Sequence, residues 1–234
     1  MPEPARREAE LAANLAAVRA RVAAACTAAG RSSGDVTTVV VTKTFPASDV
    51  RLLAGLGVAE VGEAREPEAS QKVQECADLG LRWHCVGRLQ TNKARSVAGW
   101  AAVVHSVDSR RLAAALSRGA TGHGRAVDVL VQVSLDGDPA RGGVVVADVQ
   151  GLADAVAGGE SLRLAGVMAV APLGMDASAA FATLADVSAR VRRDHPGAGV
   201  VSAGMSADLE AAVACGATHL RVGSAVLGSR PALQ

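Results

Sequence analysis

Apolar residues along the chain occur in two alternating spacings. Short runs rich in β-branched residues, of which 36–41 is the densest, are typical of strands buried on both faces of a parallel sheet. The segments between them repeat apolar residues three and four positions apart, which predicts amphipathic helices. The strands are predicted within residues 36–45, 58–63, 81–87, 102–107, 127–133, 162–168, 199–202 and 218–223. The helices between them are predicted at 47–55, 66–79, 90–98, after 108–109, at 144–157, 177–193, 206–214 and from Ser224 onward.

About eight strand–helix units follow one another without a linker or a change in composition. Strict alternation of strands and helices implies a parallel sheet, and this chain length matches the small end of the (β/α)8 barrels. We therefore predict an α/β protein with a single (β/α)8 TIM barrel, forming one domain over residues 1–234. An open, doubly wound sheet is the alternative. An extra N-terminal helix, predicted at 3–29, is expected to cover part of the fold.

Composition excludes several classes of function. The 234 residues carry a net charge of +1 and include two phenylalanines, two tryptophans and no tyrosine. Such a chain offers neither the basic surface that binds nucleic acid or anionic membranes nor aromatic platforms for stacking bases. Half of the residues are hydrophobic, which suits a globular protein with an aliphatic, alanine-rich core.

Cysteine spacing and hydropathy together predict a cytoplasmic protein. Cys26, Cys76, Cys85 and Cys215 are scattered, without paired or metal-ligating spacing, so we expect free thiols and no metal site. The charged N-terminal residues do not resemble a signal peptide. No apolar run reaches the roughly 20 residues that span a bilayer.

Lys43 lies at the carboxyl end of the first predicted strand, before Pro46, which ends the strand and suits a helix start. Parallel α/β folds bind their ligands at this end of the strands. Because burying an ammonium group is costly, Lys43 either extends its charged end out of the barrel mouth or has a function. The other residues expected at strand ends are Glu63, His84, Ser106, Gln132, Met168, Ser202, Arg221 and Gly223.

The loops after the last two predicted strands combine glycine and serine with helix starts. Glycines let backbone N–H groups approach a ligand, hydroxyls add donors, and barrels frequently bind phosphate in these two loops. Ser206 and Ser224 alternatively cap helices, and Gly204 and Gly223 alternatively serve only as turns. Because both loops lie where a barrel binds phosphate, phosphate binding is the favoured interpretation.

A phosphate at one side of the mouth and Lys43 at the other suggest covalent imine chemistry. Desolvation and a neighbouring cation such as Arg221 would activate the lysine, because both lower its pKa. Arg221 stays protonated, so it can donate hydrogen bonds or pair with a carboxylate but cannot act as a base. His84 is interpreted as a structural rather than a catalytic histidine. Residues 90–93 either cap a helix or bind a second anion.

Four stretches of the sequence resemble one known family, and the likeness extends from about residue 36 to residue 230. That family is the pyridoxal-phosphate homeostasis proteins (YggS/PROSC-like), which are similar to the N-terminal barrel of alanine racemase. Each stretch alone is weak, but the combination is specific. The stretches are V-T-K-T at 41–44, W-H-C-V-G-R-L-Q-T-N-K at 83–93, S-A-G-M-S-A-D-L-E-A-A at 202–212 and R-V-G-S-A-V-L-G at 221–228.

The resemblance implies a barrel that binds pyridoxal 5′-phosphate (PLP), with Lys43 forming the internal aldimine. It implies that Ser202, Ser206 and the Gly223–Ser224 turn hold the phosphate and that Arg221 faces the pyridine nitrogen. The chain departs from the family where Ala64 replaces an asparagine after Gly62 and Glu63, which removes one contact beside the ring. It also departs at Ala171, where proline is common, and at 141–143, where a lysine is usual.

Three functions are compatible with these residues. The favoured one is a monomeric PLP carrier that buffers the cofactor and delivers it to PLP-dependent apo-enzymes, with little or no catalysis. A single-domain PLP-dependent amino-acid racemase is the first alternative. It is disfavoured because racemisation needs an electron sink and two bases, and alanine racemase takes its second base from a tyrosine that this chain lacks. A Schiff-base aldolase acting through Lys43 on a sugar phosphate is the second.

Overall fold

The computed structural model of the protein describes residues 3–138 and 141–228, and its centre is a ring of eight parallel strands. The prediction of one domain over 1–234 has its two ends outside the described residues and stays a prediction. A ninth, two-residue strand, β6 (Val144–Val145), extends the pairing of β5 outside the ring. The ring consists of β1 (Thr37–Val41), β2 (Glu60–Glu63), β3 (Arg82–Cys85), β4 (Val103–Val107), β5 (Val127–Ser134), β7 (Leu162–Met168), β8 (Val200–Ser202) and β9 (His219–Val222).

Two strand pairings close the ring into a barrel. β1 lies between β2 and β9, with Val40 opposite Val61 on one side and Val222 on the other. β4 pairs with β5 through Val104 and Val129, which joins the two halves of the sheet. The predicted (β/α)8 barrel is therefore confirmed, and the open doubly wound sheet is wrong.

Helices surround the ring, and apolar side chains fill the layer between the helices and the strands. None of the helices within the described ranges is both long and apolar enough to cross a membrane. The helices are α1 (Glu3–Ala28), α2 (Ala47–Gly55), α3 (Glu68–Glu75), α4 (Ala94–Trp100), α5 (Arg110–Gly122), α6 (Val149–Ala157), α7 (Ala177–Asp194), α8 (Leu209–Ala214) and α9 (Ser224–Leu227).

The extra N-terminal helix α1 is confirmed and packs along the last units of the barrel. Its apolar face, formed by Leu11, Leu15, Val18 and Val22, is buried. Polar contacts also attach it: Asn14 donates to the carbonyl oxygen of Val226 at 3.0 Å. In this position α1 supports the loop and short helix that follow β9.

Four predicted helices begin later in the structure than predicted: those from 66, 90, 144 and 206. Two of these differences have a clear local cause. The segment predicted as a helix from 144 starts with β6, because its β-branched residues pair with β5, and becomes α6 only at Val149. The helix predicted from 206 starts at Leu209. The carboxylate of Asp208 accepts a hydrogen bond from the backbone N–H of Met205 at 2.6 Å, which stabilises a turn at 205–208 instead of a helical turn.

The interior of the ring differs from the outer core. Val103, Leu130 and Met168 form a small separate apolar cluster inside it. The buried polar side chains on the strands include His84, His105, Ser202 and Arg221. Because buried polar groups need hydrogen-bond partners, these side chains indicate a polar site inside the barrel and at its carboxyl-end mouth.

Candidate functional site

Lys43 lies in the turn between β1 and α2 and is half-buried. The next residue, Thr44, has a φ of +69°, a left-handed conformation that β-branched residues rarely adopt. Its backbone N–H donates to the carboxylate of Glu68 at 3.2 Å. Such local strain persists only where surrounding contacts fix it, and it concentrates at functional sites. The turn that presents Lys43 is therefore fixed by a contact from α3.

A buried ion pair lies beneath this turn. The ammonium of Lys72 donates to the Glu63 carboxylate at 2.6 Å and to the carbonyl oxygen of Thr42 at 3.0 Å, and the Thr42 hydroxyl donates to Glu63 at 2.7 Å. Burial raises the pKa of Glu63, although Lys72 and Thr42 oppose the shift. The sequence predicted Glu63 at a strand end but did not indicate Lys72. Its signal was a lysine at helical spacing from the buried Ala69 and Cys76.

Two buried oxygen atoms next to Lys43 have no hydrogen-bond partner within the described residues: Thr44 Oγ1 and Glu63 Oε2. Leaving a buried polar atom unsatisfied usually costs about 1–3 kcal/mol. Thr44 lies in the Lys43 turn itself, and Glu63 lies at the exit of the neighbouring strand β2. The surroundings of Lys43 therefore suit a polar ligand.

The loops after β8 and β9 meet through their serines. The half-buried Ser206 Oγ accepts hydrogen bonds from the Ser224 hydroxyl at 3.3 Å and from the backbone N–H of Ala225 at 3.2 Å. Neither serine caps its own helix, because Asp208 and Gly223 occupy the cap positions of α8 and α9. The capping alternative is thus replaced by a contact that joins the two predicted phosphate loops.

Glycines set the position of both loops. Gly204 has a φ of +85°, and a Cβ there would lie 2.6 Å from the Ala212 side chain, so the loop can approach α8 only with glycine. Gly223 lies against β1, since a Cβ there would be 3.3 Å from the carbonyl oxygen of Val41. The paired serine loops are therefore adjacent to the strand that leads into Lys43.

Ser202 and Arg221 form a second group, buried inside the barrel. Arg221 donates from Nη1 to Ser202 Oγ at 2.6 Å and from Nη2 to the carbonyl oxygen of Ala169 at 2.9 Å. Arg221 makes no ion pair with any carboxylate in the described parts of the chain, so the predicted alternative of a pairing at the mouth is not found. Burial lowers its pKa to about 10, with an opposing contribution from Asp208.

Two histidines continue this group toward the amino end of the barrel. His105 Nδ1 lies 2.9 Å from Ser202 Oγ, and His105 Nε2 lies 2.8 Å from His84 Nδ1. His84 Nε2 contacts the Glu60 carboxylate. Both rings are completely buried. His84 thus has the satisfied partners of a structural histidine, while sequence reasoning missed His105, whose signal was a histidine inside the continuously buried strand β4.

The remaining predicted strand-end residues make contacts close to their own strands. Ser106 donates to the carbonyl oxygen of Gly87 at 2.6 Å, and Gln132 donates to that of Arg141 at 3.3 Å. Met168 belongs to the apolar cluster inside the ring. In the structure these three residues stabilise strands and loops around the mouth and are not grouped with Lys43.

A separate concavity of about 930 Å³ lies beside the loops after β2, β3 and β4. The Gln90 side chain makes no capping hydrogen bond to the helical turn that follows it, so the capping alternative for this stretch is not supported. Binding of a second anion here stays a prediction. The concavity is lined by all of residues 90–93 and by three arginines, Arg65, Arg88 and Arg111.

A closed parallel barrel with a lysine after its first strand and joined serine loops after its last two defines a class of proteins. The family described as "Alanine racemase, N-terminal domain" matches residues 8–231. Within this class, the chain belongs to the family of pyridoxal phosphate homeostasis proteins, as curated relatives with that name show.

Three relatives give the extent of the similarity. The Mycobacterium tuberculosis (strain H37Rv) protein is 47% identical over 243 residues, covering 96% of this chain and 94% of the relative. The Escherichia coli K12 protein is 35% identical over 227 residues, covering 94% and 97%. PipY of Synechococcus elongatus, solved with PLP bound, is 34% identical and superimposes with a TM-score of 0.82, covering 93% of this chain and 100% of PipY.

Proposed function

We propose that the protein binds PLP in the barrel mouth and holds it as a Schiff base with Lys43. The lysine amine would condense with the cofactor's aldehyde, forming one imine and releasing one water. The protein would thereby buffer a reactive aldehyde and deliver it to PLP-dependent apo-enzymes. The PLP-bound structure of PipY and the name shared by the curated relatives support this proposal.

The assignment of residues rests on one observation above all. Gly223 packs directly on the Val41 carbonyl, so the joined serine loops and the Lys43 turn are neighbours on one rim. A molecule with a phosphate and an aldehyde fits such a pair of sites. We assign the phosphate to Ser206 and the Gly223–Ser224 turn, and the aldehyde to Lys43.

Arg221 and Ser202 are assigned to the ring side of the cofactor. The Arg221 guanidinium has five N–H donors, of which two bind Ser202 and Ala169. Its remaining donors are suited to the pyridine nitrogen. A charged donor at that nitrogen keeps it unprotonated and weakens the electron sink that amino-acid chemistry requires. A PLP carrier is therefore favoured over an amino-acid racemase.

The experiment that tests the proposal is borohydride reduction of the PLP-loaded protein, followed by mass mapping of the adduct. The sequence contains three lysines, Lys43, Lys72 and Lys93, so the assignment is unambiguous. We expect the adduct on Lys43, loss of the imine absorbance in Lys43→Ala and no change in Lys93→Ala. An adduct on Lys93 or at the N-terminus would contradict the assignment.

A second measurement distinguishes a PLP carrier from a PLP-dependent enzyme. Loaded protein mixed with a PLP-dependent apo-enzyme is expected to restore that enzyme's activity, whereas loaded protein alone should exchange the Cα hydrogen of free alanine slowly or not at all. Rapid, stereochemically defined turnover of free amino acids would overturn the carrier proposal.

A further inference from the structure

A continuous line of polar side chains runs through the inside of the barrel, from Arg221 near the mouth to Glu60 at the amino end of β2. Its links are Arg221–Ser202 at 2.6 Å, Ser202–His105 at 2.9 Å, His105–His84 at 2.8 Å and the contact of His84 with Glu60. The three middle residues are completely buried, whereas Glu60 is 27% exposed.

Each link needs one proton, and with a neutral His84 the count of protons fixes the direction of the whole line. An ionised Glu60 accepts from His84 Nε2–H, so a neutral His84 accepts at Nδ1. His105 must then donate from Nε2 and accept at Nδ1, which requires the Ser202 hydroxyl to donate to it. Arg221 supplies the last hydrogen bond, to Ser202 Oγ. Every donor in the line therefore points from Arg221 toward Glu60.

We propose that this one-way line of donors holds Arg221 as a fixed, charged hydrogen-bond donor at the mouth, with Ser202 and His105 as positioning residues. The part of this inference that concerns the cofactor rests on the proposed function. It assigns Ser202 a role different from binding the phosphate, because the hydroxyl proton is already committed to His105.

The alternative use of such a line, as a path that moves protons, is disfavoured by the charges at its ends. Burial lowers the pKa of Arg221 only to about 10. Burial alone would raise the pKa of Glu60, but the hydrogen bond from His84 and the charge of Arg82 bring it below its ordinary value. Because the Glu60 carboxylate is therefore a much weaker base than the Arg221 guanidine, proton transfer from Arg221 to Glu60 is strongly disfavoured.

The surroundings of His105 agree with a neutral ring at that position. Burial, together with the charge of Arg221 and the neighbouring His84, lowers the pKa of His105 well below 6.5. From β9, His219 has its ring 6.3 Å from His84, and burial lowers the His219 pKa to about 4. From β3, Arg82 faces Glu60 at 3.7 Å, which favours the ionised carboxylate.

The first test needs neither a variant nor the cofactor. Histidine ring ¹⁵N–¹H spectra of the apo-protein at neutral pH report which nitrogen of each ring is protonated. We expect His84 and His105 both to be neutral, with the proton on Nε2. An additional proton on His84 would reverse two links, put the His105 proton on Nδ1 and release the Ser202 hydroxyl. Observing that state, or a single Nδ1–H tautomer at either ring, would overturn the inference.

The second test compares Ser202→Ala and His105→Phe in the PLP-loaded protein. Each breaks the line at a different link: Ser202→Ala leaves Arg221 only its bond to Ala169, and His105→Phe leaves the Ser202 hydroxyl without the acceptor that orients it toward Arg221. We expect both to shift the cofactor's absorbance maximum in the same direction. A hydroxyl that bound the phosphate itself would, when removed, weaken the cofactor's Kd by about 10- to 100-fold. We expect that loss for Ser224→Ala and a smaller one for Ser202→Ala.

His123→Gln is the matched control, because His123 is exposed and its ring, among the residues that the structure describes, hydrogen-bonds only to the carbonyl oxygen of Arg95. It should leave the spectrum and the Kd unchanged. A Ser202→Ala protein with an unchanged spectrum and a Kd weakened as much as in Ser224→Ala would overturn the positioning role. Failure of the wild-type protein to bind PLP would refute the proposed function alone, since the tautomers of the apo-protein would still decide the direction of the line.

Discussion

Two buried polar groups handle their charges differently, one between β2 and α3 and the other inside the ring of strands. In the first, Lys72 and Glu63 are in direct contact at 2.6 Å, and both are almost completely buried. In the second, Arg221 and Glu60 carry the charges, but Ser202 and two histidines separate them. In the direct pair the two charges compensate each other and fix the turn above them, although Glu63 Oε2 has no hydrogen-bond partner among the described residues. A separated pair leaves Arg221 with donors for something else, which is the property a binding site needs.

The largest expected effect is on the direct pair. Removing one member of a buried ion pair leaves an uncompensated charge and typically costs about 3–5 kcal/mol. We therefore expect Lys72→Met to lower the free energy of unfolding by about that amount. Urea unfolding monitored by circular dichroism measures it.

Two comparisons sharpen this prediction. Arg51→Met removes an exposed pair with Asp78 and should change the free energy of unfolding far less than Lys72→Met. The double variant Lys72→Met, Glu63→Leu replaces the pair by apolar groups and should recover most of the loss, because a buried pair contributes little net stability. Equal destabilisation by the single and double variants would contradict the account.

The second expected effect is a loss of stability in acid, from the histidines around the separated pair. Burial lowers the pKa of His105 well below 6.5 and that of His219 to about 4. The unfolded chain takes up these protons near pH 6.5, so the unfolded state gains as pH falls below that value. The free energy of unfolding should decrease by up to about 1.4 kcal/mol per pH unit for each histidine.

Glu63 acts in the opposite direction, because burial raises its pKa and the folded state takes up that proton first. A variant of one histidine isolates the contribution of that histidine to the pH dependence of the free energy of unfolding. Unfolding titrations between about pH 7 and pH 4.5 should give a shallower slope for His219→Gln than for the wild-type protein. The exposed His123→Gln is the control. A slope in His219→Gln as steep as in the wild type would exclude His219 as a source.

The same contrast explains what the sequence could predict. Strand and helix order follows from local spacing of apolar residues, and the barrel follows from eight repeats of that spacing. Lys43 and the two serine-containing loops could be predicted because the ends of strands can be recognised in a sequence. The contacts Lys72–Glu63 and His84–His105 join residues 9 and 21 positions apart in the chain. Local spacing does not determine which side chains from different strands and helices meet, so these partners appear only in the folded barrel.

The smallest effect on stability, and the sharpest on the separated pair, is expected from Glu60→Gln. Glu60 is partly hydrated, and glutamine can still accept from His84, so the loss should stay below about 1 kcal/mol. The variant nevertheless removes the negative charge that fixes the direction of the line. We expect the ring ¹⁵N signals of both His84 and His105 to change in the apo-protein.

Asp128→Asn is the matched control, because Asp128 is also a carboxylate near the start of a barrel strand and also binds Arg82, at 2.6 Å. Asp128 contacts Arg163 instead of a histidine. Asp128→Asn should therefore lower the free energy of unfolding by a similarly small amount and leave the ring ¹⁵N signals of both His84 and His105 unchanged. If Glu60→Gln altered only His84, the line would end at that ring, and Arg221 would be held by Ser202 and Ala169 without help from the far end of the barrel.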